Sequence, residues 1–346
     1  MRSMSDYRPK PITLYDVADR SGVSYQTVSR VINGHPHVSK TTRQRVLQAI
    51  AELDYRPNRA AQSLVTRRSF TLGVVTFGAG FYGPLQMVGN VAHAAKTCGY
   101  NLLVANINDS LADTVQDAIE TFSGKLVDGI IMITPVTSIT SAELHASCGD
   151  TPFVQIAAPR GANEASVIID QRYGASLAVQ HLIGLGHTQI SEISGPLNWF
   201  DAAARHEGWR DTLHAAGLQA PPNSSVEGDW TAAGGYAAAI RMLDEGANFT
   251  ALFVGNDQMA LGVLRALREH GLRVPQDVSV VGFDDIPEAA FYEPPLTTIQ
   301  QDFSTLGRQS VEYLVELIDK PDTLTSGQQR VLYPRFIERH STAAPR

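Results

Sequence analysis

The chain has 346 residues, of which 43% are hydrophobic and 18% are charged, and its formal net charge is −7. This length allows two or three domains, and this composition is typical of packed globular domains rather than disorder. No apolar run reaches the roughly 18 residues that a membrane span requires, and the N-terminal stretch MRSMSDYRPKPITLYD contains no apolar segment typical of a secretion signal. We therefore expect a cytoplasmic protein.

The charge is distributed unevenly along the chain. Residues 1–68 contain 12 Lys and Arg against 5 Asp and Glu, a balance of +7, whereas the remainder contains 16 against 30, a balance of −14. A basic segment attached to an acidic body predicts a polyanionic partner for that segment.

Three short helices are predicted in this basic segment. Thr13 is placed to cap the first, LYDVADRS, and Gly22 to end it. Ser24 is placed to cap the second, YQTVSRVIN, and Ser39 the third. The third helix is predicted to bury a face made of Val46, Leu47, Ile50 and Leu53.

Helix, tight turn, helix and supporting third helix is the helix-turn-helix arrangement, in which the second helix enters the major groove of DNA. Gln26 can pair with adenine and Arg30 with guanine, and short polar side chains suit phosphate contacts. An ordinary polar surface helix is the alternative interpretation, and the local charge favours DNA. The DNA-binding candidates in this segment are Leu14, Tyr15, Ser24, Tyr25, Gln26, Thr27, Ser29, Arg30, Asn33, His37, Ser39 and Thr42.

The stretch TLYDVADRSGVSYQTVSRVIN resembles the headpiece of the LacI/GalR family of bacterial transcriptional repressors, and the resemblance continues through YRPNRAAQSL. In that family the latter segment is a hinge helix that forms on operator DNA. The resemblance implies that Leu64 is an apolar wedge that enters the minor groove. It also implies that Ala61 faces the groove and that Asn58 and Gln62 contact the DNA backbone or base edges. An ordinary linker is the alternative.

After residue 70, apolar strand-like runs alternate with helical stretches, which predicts parallel sheets flanked by helices. The runs are too many for one sheet, so two α/β subdomains are expected. The family resemblance covers this body through LGHTQI, VGNDQMALG and DVSVVGFDD, among other stretches. It implies a type I periplasmic-binding-protein-like core with a small ligand between two parallel-sheet subdomains.

The expected domains follow from the same resemblance. They are the helix-turn-helix headpiece at 11–56, the hinge helix and linker at 57–69, the N-terminal subdomain at 70–169 and 302–328, and the C-terminal subdomain at 170–301 and 329–341.

The resemblance also places the effector in the cleft between the two subdomains. The side chains that it places around the effector are of types that bind sugars. Arg offers a planar fork to hydroxyls, Asp and the amides exchange hydrogen bonds with them, and aromatic rings cover a pyranose face. A plain Arg205–Asp284 salt bridge is the alternative. The effector-binding candidates are Phe77, Phe81, Asp201, Arg205, Trp230, Asn256, Asp284, Gln301 and Phe303.

The cleft also departs from the family pattern at Phe77, Ala157, Trp199 and Asp201, so the sequence does not predict which sugar binds. The heptad segment that makes tetramers in some of the family does not follow residue 341 here. We therefore expect a dimer, which matches a palindromic operator.

Enzyme chemistry is not indicated. The loop GAGFYG at 78–83 fits G-x-G-x-x-G, but the second strand, NLLVAN, ends in Asn106 rather than in the acidic residue that a dinucleotide site requires. Pro84 is predicted to start the next helix, after the glycines, so we expect no dinucleotide cofactor. The family resemblance implies instead that this loop lines the ligand cleft.

Other catalytic and metal motifs are equally weak. His35 and His37 are too few ligands for a metal, and the adjacent carboxylates of Asp284 and Asp285 should point in opposite directions. Cys98 and Cys148 are expected to be buried and reduced. A transport sugar-binding protein or an enzyme with an incidental basic head is the rival hypothesis. The first would need a secretion signal and the second a placed base or nucleophile.

Overall fold

A computed structural model describes residues 12–32, 36–55, 68–107, 112–122, 126–134, 140–220, 223–320 and 327–346. The chain divides into two compact units, Met1–Ser69 and Phe70–Arg346. Among the described residues, no helix is long and apolar enough to cross a membrane.

The first unit contains three helices, α1 at Leu14–Ser21, α2 at Tyr25–Ile32 and α3 at Lys40–Glu52. Thr13 and Asp16 form a reciprocal capping box at the start of α1, and Gly22 ends it with a φ of 65°. Ser39 caps α3 by accepting a hydrogen bond from the backbone N–H of Thr42. The predicted helix starts and stops therefore lie where the capping chemistry places them.

A small core joins the three helices. The prediction that Leu47 belongs to this core is wrong, because its side chain is 52% exposed. Val46 and Ala49 are buried instead, with Ile50 packed against them, which is the i, i+3, i+4 spacing of one helix face. The buried residues of this core are Val17, Ala18, Val28, Val31, Val46, Ala49 and Tyr55.

The second unit alternates strands and helices, as its apolar runs predict. Its strands are β1 Thr71–Phe77, β2 Asn101–Ile107, β3 Gly129–Ile133, β4 Phe153–Ile156, β5 Ser166–Ile169, β6 Ile190–Ser194, β7 Ser225–Glu227, β8 Ala251–Val254, β9 Ser279–Val281, β10 Thr298–Gln300, β11 Gln329–Leu332 and β12 Arg335–Ile337. Its helices are α4 Tyr82–Thr97, α5 Ala112–Glu120, α6 Ser141–Cys148, α7 Gln171–Gly184, α8 Phe200–Ala215, α9 Ala232–Asp244, α10 Asp257–Glu269 and α11 Phe303–Asp319.

Within the described residues these strands form two parallel sheets and a short antiparallel pair. The first sheet has the order β11-β5-β4-β3-β1-β2, and the second has the order β7-β6-β8-β9. The antiparallel pair joins β10 to β12. We call the part built on the first sheet the N half and the part built on the second sheet the C half. Parallel sheets need helical crossovers on their faces, which the intervening helices provide.

The expected domain boundary after residue 328 requires a correction. Strand β11 pairs in parallel with β5, with Gln329 opposite Ser166, so it belongs to the N half and the chain returns to the C half only beyond Leu332. The sequence run RVLY is too short to reveal which sheet it joins, since that choice depends on long-range pairing.

Close helix packing in the C half depends on glycine. A Cβ at Gly262 on α10 would lie 1.9 Å from the carbonyl oxygen of Ala232 on α9, and one at Gly235 would lie 2.2 Å from the carbonyl oxygen of Met259. The two helices therefore approach backbone to backbone.

The cysteines differ from expectation. Cys148 is buried as predicted, whereas Cys98 is exposed at the end of α4, and both are free thiols. Cys98 directly follows the last residue of α4, so it lies at the exposed end of the helix and not on its buried face.

Candidate functional sites

The exposed face of α2 carries the side chains predicted to read DNA. Tyr25, Gln26 and Arg30 are exposed and Ser29 is half-buried, while Val28 and Val31 face the core. The rings of Tyr15 and Tyr25 stack with their centroids 5.0 Å apart and their planes 23° apart. The first turn of α2 thus exposes polar and aromatic side chains, and the ring of Tyr15 on α1 packs against one of them, Tyr25.

Several of the short polar candidates have local roles. Oγ of Ser24 accepts a 3.2 Å hydrogen bond from the backbone N–H of Thr27, and Oγ of Ser39 accepts one of the same length from Thr42. Leu14 packs against the headpiece core, and His37 is exposed. The remaining DNA-binding candidates lie outside the described residues: Asn33, Asn58, Ala61, Gln62 and Leu64.

The polar groups of the second unit gather where strands of the C half end. Arg205 lies on the helix after β6, Trp230 follows β7, and Asn256 follows β8. Carboxyl ends of parallel strands meet at one edge of a sheet, which is where ligands of α/β proteins bind. Asp284 follows β9, and Gln301 follows β10.

Arg205 is the centre of this cluster and is only 4% exposed. Its Nε donates a 2.9 Å hydrogen bond to Oε1 of Gln171, and Nη1 donates a 2.5 Å hydrogen bond to the carbonyl oxygen of Gly255. Its guanidinium carbon lies 3.8 Å from the centroid of the Phe283 ring. These contacts fix the plane of the guanidinium.

Asp284 is held more closely by the amide of Gln301 than by the cation of Arg205. Nε2 of Gln301 donates a 2.6 Å hydrogen bond to Oδ1 of Asp284, whereas Nη2 of Arg205 lies 3.7 Å from that oxygen. Burial raises the pKa of Asp284 to about 6, although Arg205 and Gln301 both act to lower it. A plain salt bridge therefore does not describe this pair.

The two adjacent aspartates have different partners, but not for the reason predicted, because both follow β9 with positive φ angles instead of lying on a strand. Asp285 receives a 2.6 Å hydrogen bond from Arg339 and another from Gln300, while Asp284 faces the Arg205 cluster. They are not a paired acid and base.

Asn256 and Asp201 complete the polar side of the cluster. Asn256 caps α10 by accepting a 2.8 Å hydrogen bond from the N–H of Met259, and its Nδ2 donates a 3.1 Å hydrogen bond to the carbonyl oxygen of Trp230. Asp201 lies in the first turn of α8, one turn before Arg205, and burial raises its pKa.

Aromatic rings form the opposite wall. The Trp199 ring centroid lies 5.5 Å from that of Phe77, 5.6 Å from that of Phe81 and 5.7 Å from that of Trp230. A Cβ at residue 195 would lie 2.2 Å from the Trp230 ring, so the packing of this ring requires glycine there. Within the described part of the chain, the buried indole N–H of Trp230 has no hydrogen-bond acceptor.

These residues enclose a cavity of about 30 Å³ between the two halves, which we call the inner cavity. Of the nine effector-binding candidates, seven line it. Phe77 does not, because it packs behind Trp199, and Phe303 does not, because it packs on Tyr82 at a centroid distance of 6.1 Å. The lining residues are Phe81, Tyr82, Gly83, Pro84, Met87, Trp199, Asp201, Arg205, Trp230, Asn256, Asp284 and Gln301.

Five of these lining residues were not among the candidates: Tyr82, Gly83, Pro84, Met87 and Trp199. Tyr82 and Gly83 end the GAGFYG loop, Pro84 and Met87 follow it, and α4 begins at Tyr82, two residues before the predicted start. Pro84 therefore sits inside the first turn, where its missing N–H costs nothing. The end of the loop and the first turn of α4 both line the cavity. The predicted helix start at Pro84 did not indicate that this turn would reach it.

Backbone strain is concentrated at the same strand ends. Four non-glycine residues there have positive φ angles: Ala157 at 61°, Trp230 at 71°, Asp284 at 108° and Asp285 at 55°. Such conformations cost free energy and gather at ligand sites. No group of three or more His, Cys, Asp or Glu that could hold a metal occurs among the described residues.

The chain combines a helix-turn-helix unit with a two-sheet body, and polar groups of that body gather at its strand ends. This combination is typical of a DNA-binding regulator with a ligand site in its body. Two family models match the chain, one described as bacterial regulatory proteins of the lacI family at residues 13–58. The other, a periplasmic binding protein-like domain, matches residues 179–342.

Known proteins extend this likeness over nearly the whole chain. The lactose operon repressor of Escherichia coli (strain K12) is 40% identical over 338 residues, which cover 97% of this chain and 92% of the repressor. A crystal structure of the lac repressor dimer bound to operator and the anti-inducer ONPF has a TM-score of 0.86 at 39% identity, covering 97% of this chain and 100% of that one. A complex of the transcriptional regulator CelR with cellobiose has a TM-score of 0.72 at 32% identity, covering 96% and 100%.

The chain belongs to the LacI family of bacterial transcriptional regulators. It is a DNA-binding regulator controlled by a small effector, and not an enzyme. The predicted family and fold class are confirmed.

Proposed function

We propose that the inner cavity binds a small sugar-like effector and that the exposed face of α2 reads operator DNA. The observation that carries the effector site is the buried hydrogen-bond chain Gln171–Arg205, Gln171–Gln301 and Gln301–Asp284. A fixed donor and acceptor set of this kind discriminates strongly among hydroxyl patterns, because an unmatched ligand leaves buried polar groups unpaired. The aromatic wall offers a stacking surface for the apolar face of a sugar ring.

The inner cavity must widen before it can bind an effector. At about 30 Å³ it has room for water alone, whereas ligand sites measure roughly 300–1,000 Å³. The N half contributes Phe81, Tyr82 and Pro84, and the C half contributes the polar groups, so separation of the halves enlarges the cavity. An effector that prefers one separation shifts the population of the two arrangements.

On the DNA side, Gln26 and Arg30 are the proposed base-reading residues, and Tyr15, Tyr25 and Ser29 support them. The hinge candidates Asn58, Ala61, Gln62 and Leu64 are proposed to bind the centre of the operator, with Leu64 as the wedge. The protein acts as a dimer, so that two headpieces read a palindrome.

The test begins with a thermal-shift screen of neutral sugars, because a ligand that binds only the folded state raises the melting temperature. Hits are then titrated into the protein bound to fluorescent operator, and release is followed by anisotropy. Light scattering gives the oligomeric state, and comparison of DNA bending by wild type and Leu64→Ala tests the wedge. If no sugar on the panel binds, the proposed effector class is wrong.

A further inference from the structure

We propose that Trp199 determines the specificity of the effector site by limiting the effector to a compound with a single sugar-sized ring. This inference rests on the proposed function of the inner cavity. The inference concerns how many sugar rings the effector can have, which the polar cluster alone does not determine.

The indole of Trp199 lies at the inner cavity, next in the chain to a residue of a second cavity. Trp199 lines the inner cavity, and the next residue, Phe200, lines a second cavity of about 290 Å³, which we call the outer cavity. The outer cavity lies at the ends of the N-half strands β3 and β4 and includes Thr134 and Ala157. Residues at the start of α8 therefore line both cavities, and the bulk of the indole faces the polar cluster.

The ring is packed rather than mobile on the surface. Trp199 is 7% exposed and contacts aromatic rings from both halves. A Cβ at Gly78 would lie 2.8 Å from its ring, so the GAGFYG loop passes directly over the indole. Gly78 has a φ of 72°, which favours glycine, and this close approach is a second reason for glycine there.

Trp199 stays beside the polar cluster when the halves separate. Trp199, Trp230, Arg205 and Asp284 all belong to the C half, and the ring contacts of Trp199 with Phe77 and Phe81 cross between the halves. Opening the cleft therefore breaks the contacts to the N half and leaves the indole beside the polar cluster. An effector bound to that cluster meets the indole at its edge, so the indole occupies the space that a second ring on that side would need.

The test compares monosaccharides with disaccharides that contain them, using calorimetric titration of the full-length protein. Wild type is expected to bind at least one monosaccharide about tenfold or more tightly than the matching disaccharides. Trp199→Ala is expected to lose that preference, because the space of the indole becomes available to a second ring and the monosaccharide loses an aromatic contact. Trp199→Phe keeps a smaller ring and should give an intermediate preference.

Leu197→Ala is the matched control, since Leu197 precedes α8 in the same loop but is 40% exposed and lines neither cavity. It should keep the wild-type preference. Melting temperatures and near-ultraviolet circular dichroism show whether each variant is folded. If Trp199→Ala is poorly folded, Trp199→Phe carries the comparison.

The outcomes separate this inference from the proposed function. A folded Trp199→Ala that binds sugars with the wild-type size preference contradicts the role of Trp199 and leaves the effector site intact. A wild type that binds disaccharides as well as monosaccharides also contradicts it. A wild type that binds no sugar overturns both proposals.

Discussion

Gln301 donates a 2.6 Å hydrogen bond to the carboxylate of Asp284, and this contact joins the segment after β10 to the segment after β9. Because Gln301 also accepts a 2.9 Å hydrogen bond from Gln171, the contact extends to Arg205. The polar side of the effector site is therefore one connected network, in which a change at any member is felt by the others.

Asp284 should make stability depend on pH. Its folded-state pKa of about 6 lies above the unfolded value of 3.8, so its contribution to the free energy of unfolding is complete below pH 3.8 and is lost as the pH rises through 6. We expect Asp284→Asn to gain on the order of 1–3 kcal/mol relative to wild type at pH 8 and to lose this gain near pH 4. Urea unfolding at the two pH values measures the difference, and an equal difference at both would contradict the assigned burial.

Arg205→Lys should remove effector binding while DNA binding remains. Lysine cannot reproduce the fork that reaches Gln171 and Gly255 together, so Asp284 loses its oriented cation and the hydroxyl-binding geometry. We expect effector affinity to fall about 100-fold or more and operator affinity to be unchanged without effector. Calorimetry and anisotropy measure the two affinities, with Arg210→Lys, exposed on the same helix, as the control.

His206 gives a second pH effect with a similar sign. Its hydrogen bond with the buried carboxylate of Glu192, 2.6 Å long, raises the pKa of His206. A raised histidine pKa contributes stability that is complete below its ordinary value of 6.5 and is lost as the pH rises through the higher folded value. His206→Gln should therefore lose more stability at pH 6 than at pH 9. A constant loss across that range in urea unfolding would show that His206 is not charged in the folded protein.

Gln26→Ala and Arg30→Ala should relax base selectivity. Each is expected to reduce discrimination against the wrong base by about 1–3 kcal/mol at a single position of the half-site. Competition binding with operator variants measures this. Gln44→Ala, at an exposed position on α3, is the control and should leave selectivity unchanged. Loss of affinity without loss of selectivity would assign these side chains to the phosphate backbone instead.

Local chemistry allowed the headpiece to be predicted closely. Thr13, Gly22 and Ser39 act through neighbours within a few residues, so the sequence shows both partners of each cap. The prediction for Leu47 is wrong because this position lies off the buried face of α3, whereas Val46 and Ala49 match the helical period of that face.

The body was predictable as a class but not in its pairing. Alternating apolar runs indicated parallel sheets, yet β11 joined the N half by pairing with β5, more than 150 residues earlier in the chain. Arg205, Asn256, Asp284 and Gln301 were predicted from the family resemblance, and the position of Asn256 and Asp284 after apolar strands agreed with it.

The sequence by itself determined the helix-turn-helix headpiece and the two parallel sheets, because caps, periodicity and apolar runs involve neighbouring residues, while the resemblance to the LacI/GalR family indicated the polar cluster. Only the tertiary structure decided that Trp199 lines the inner cavity, that Phe200 lines the outer cavity and that Phe77 and Phe303 lie behind the lining residues. Those facts depend on which side chains meet across the two halves of the body, and packing between segments distant in the chain leaves no local pattern.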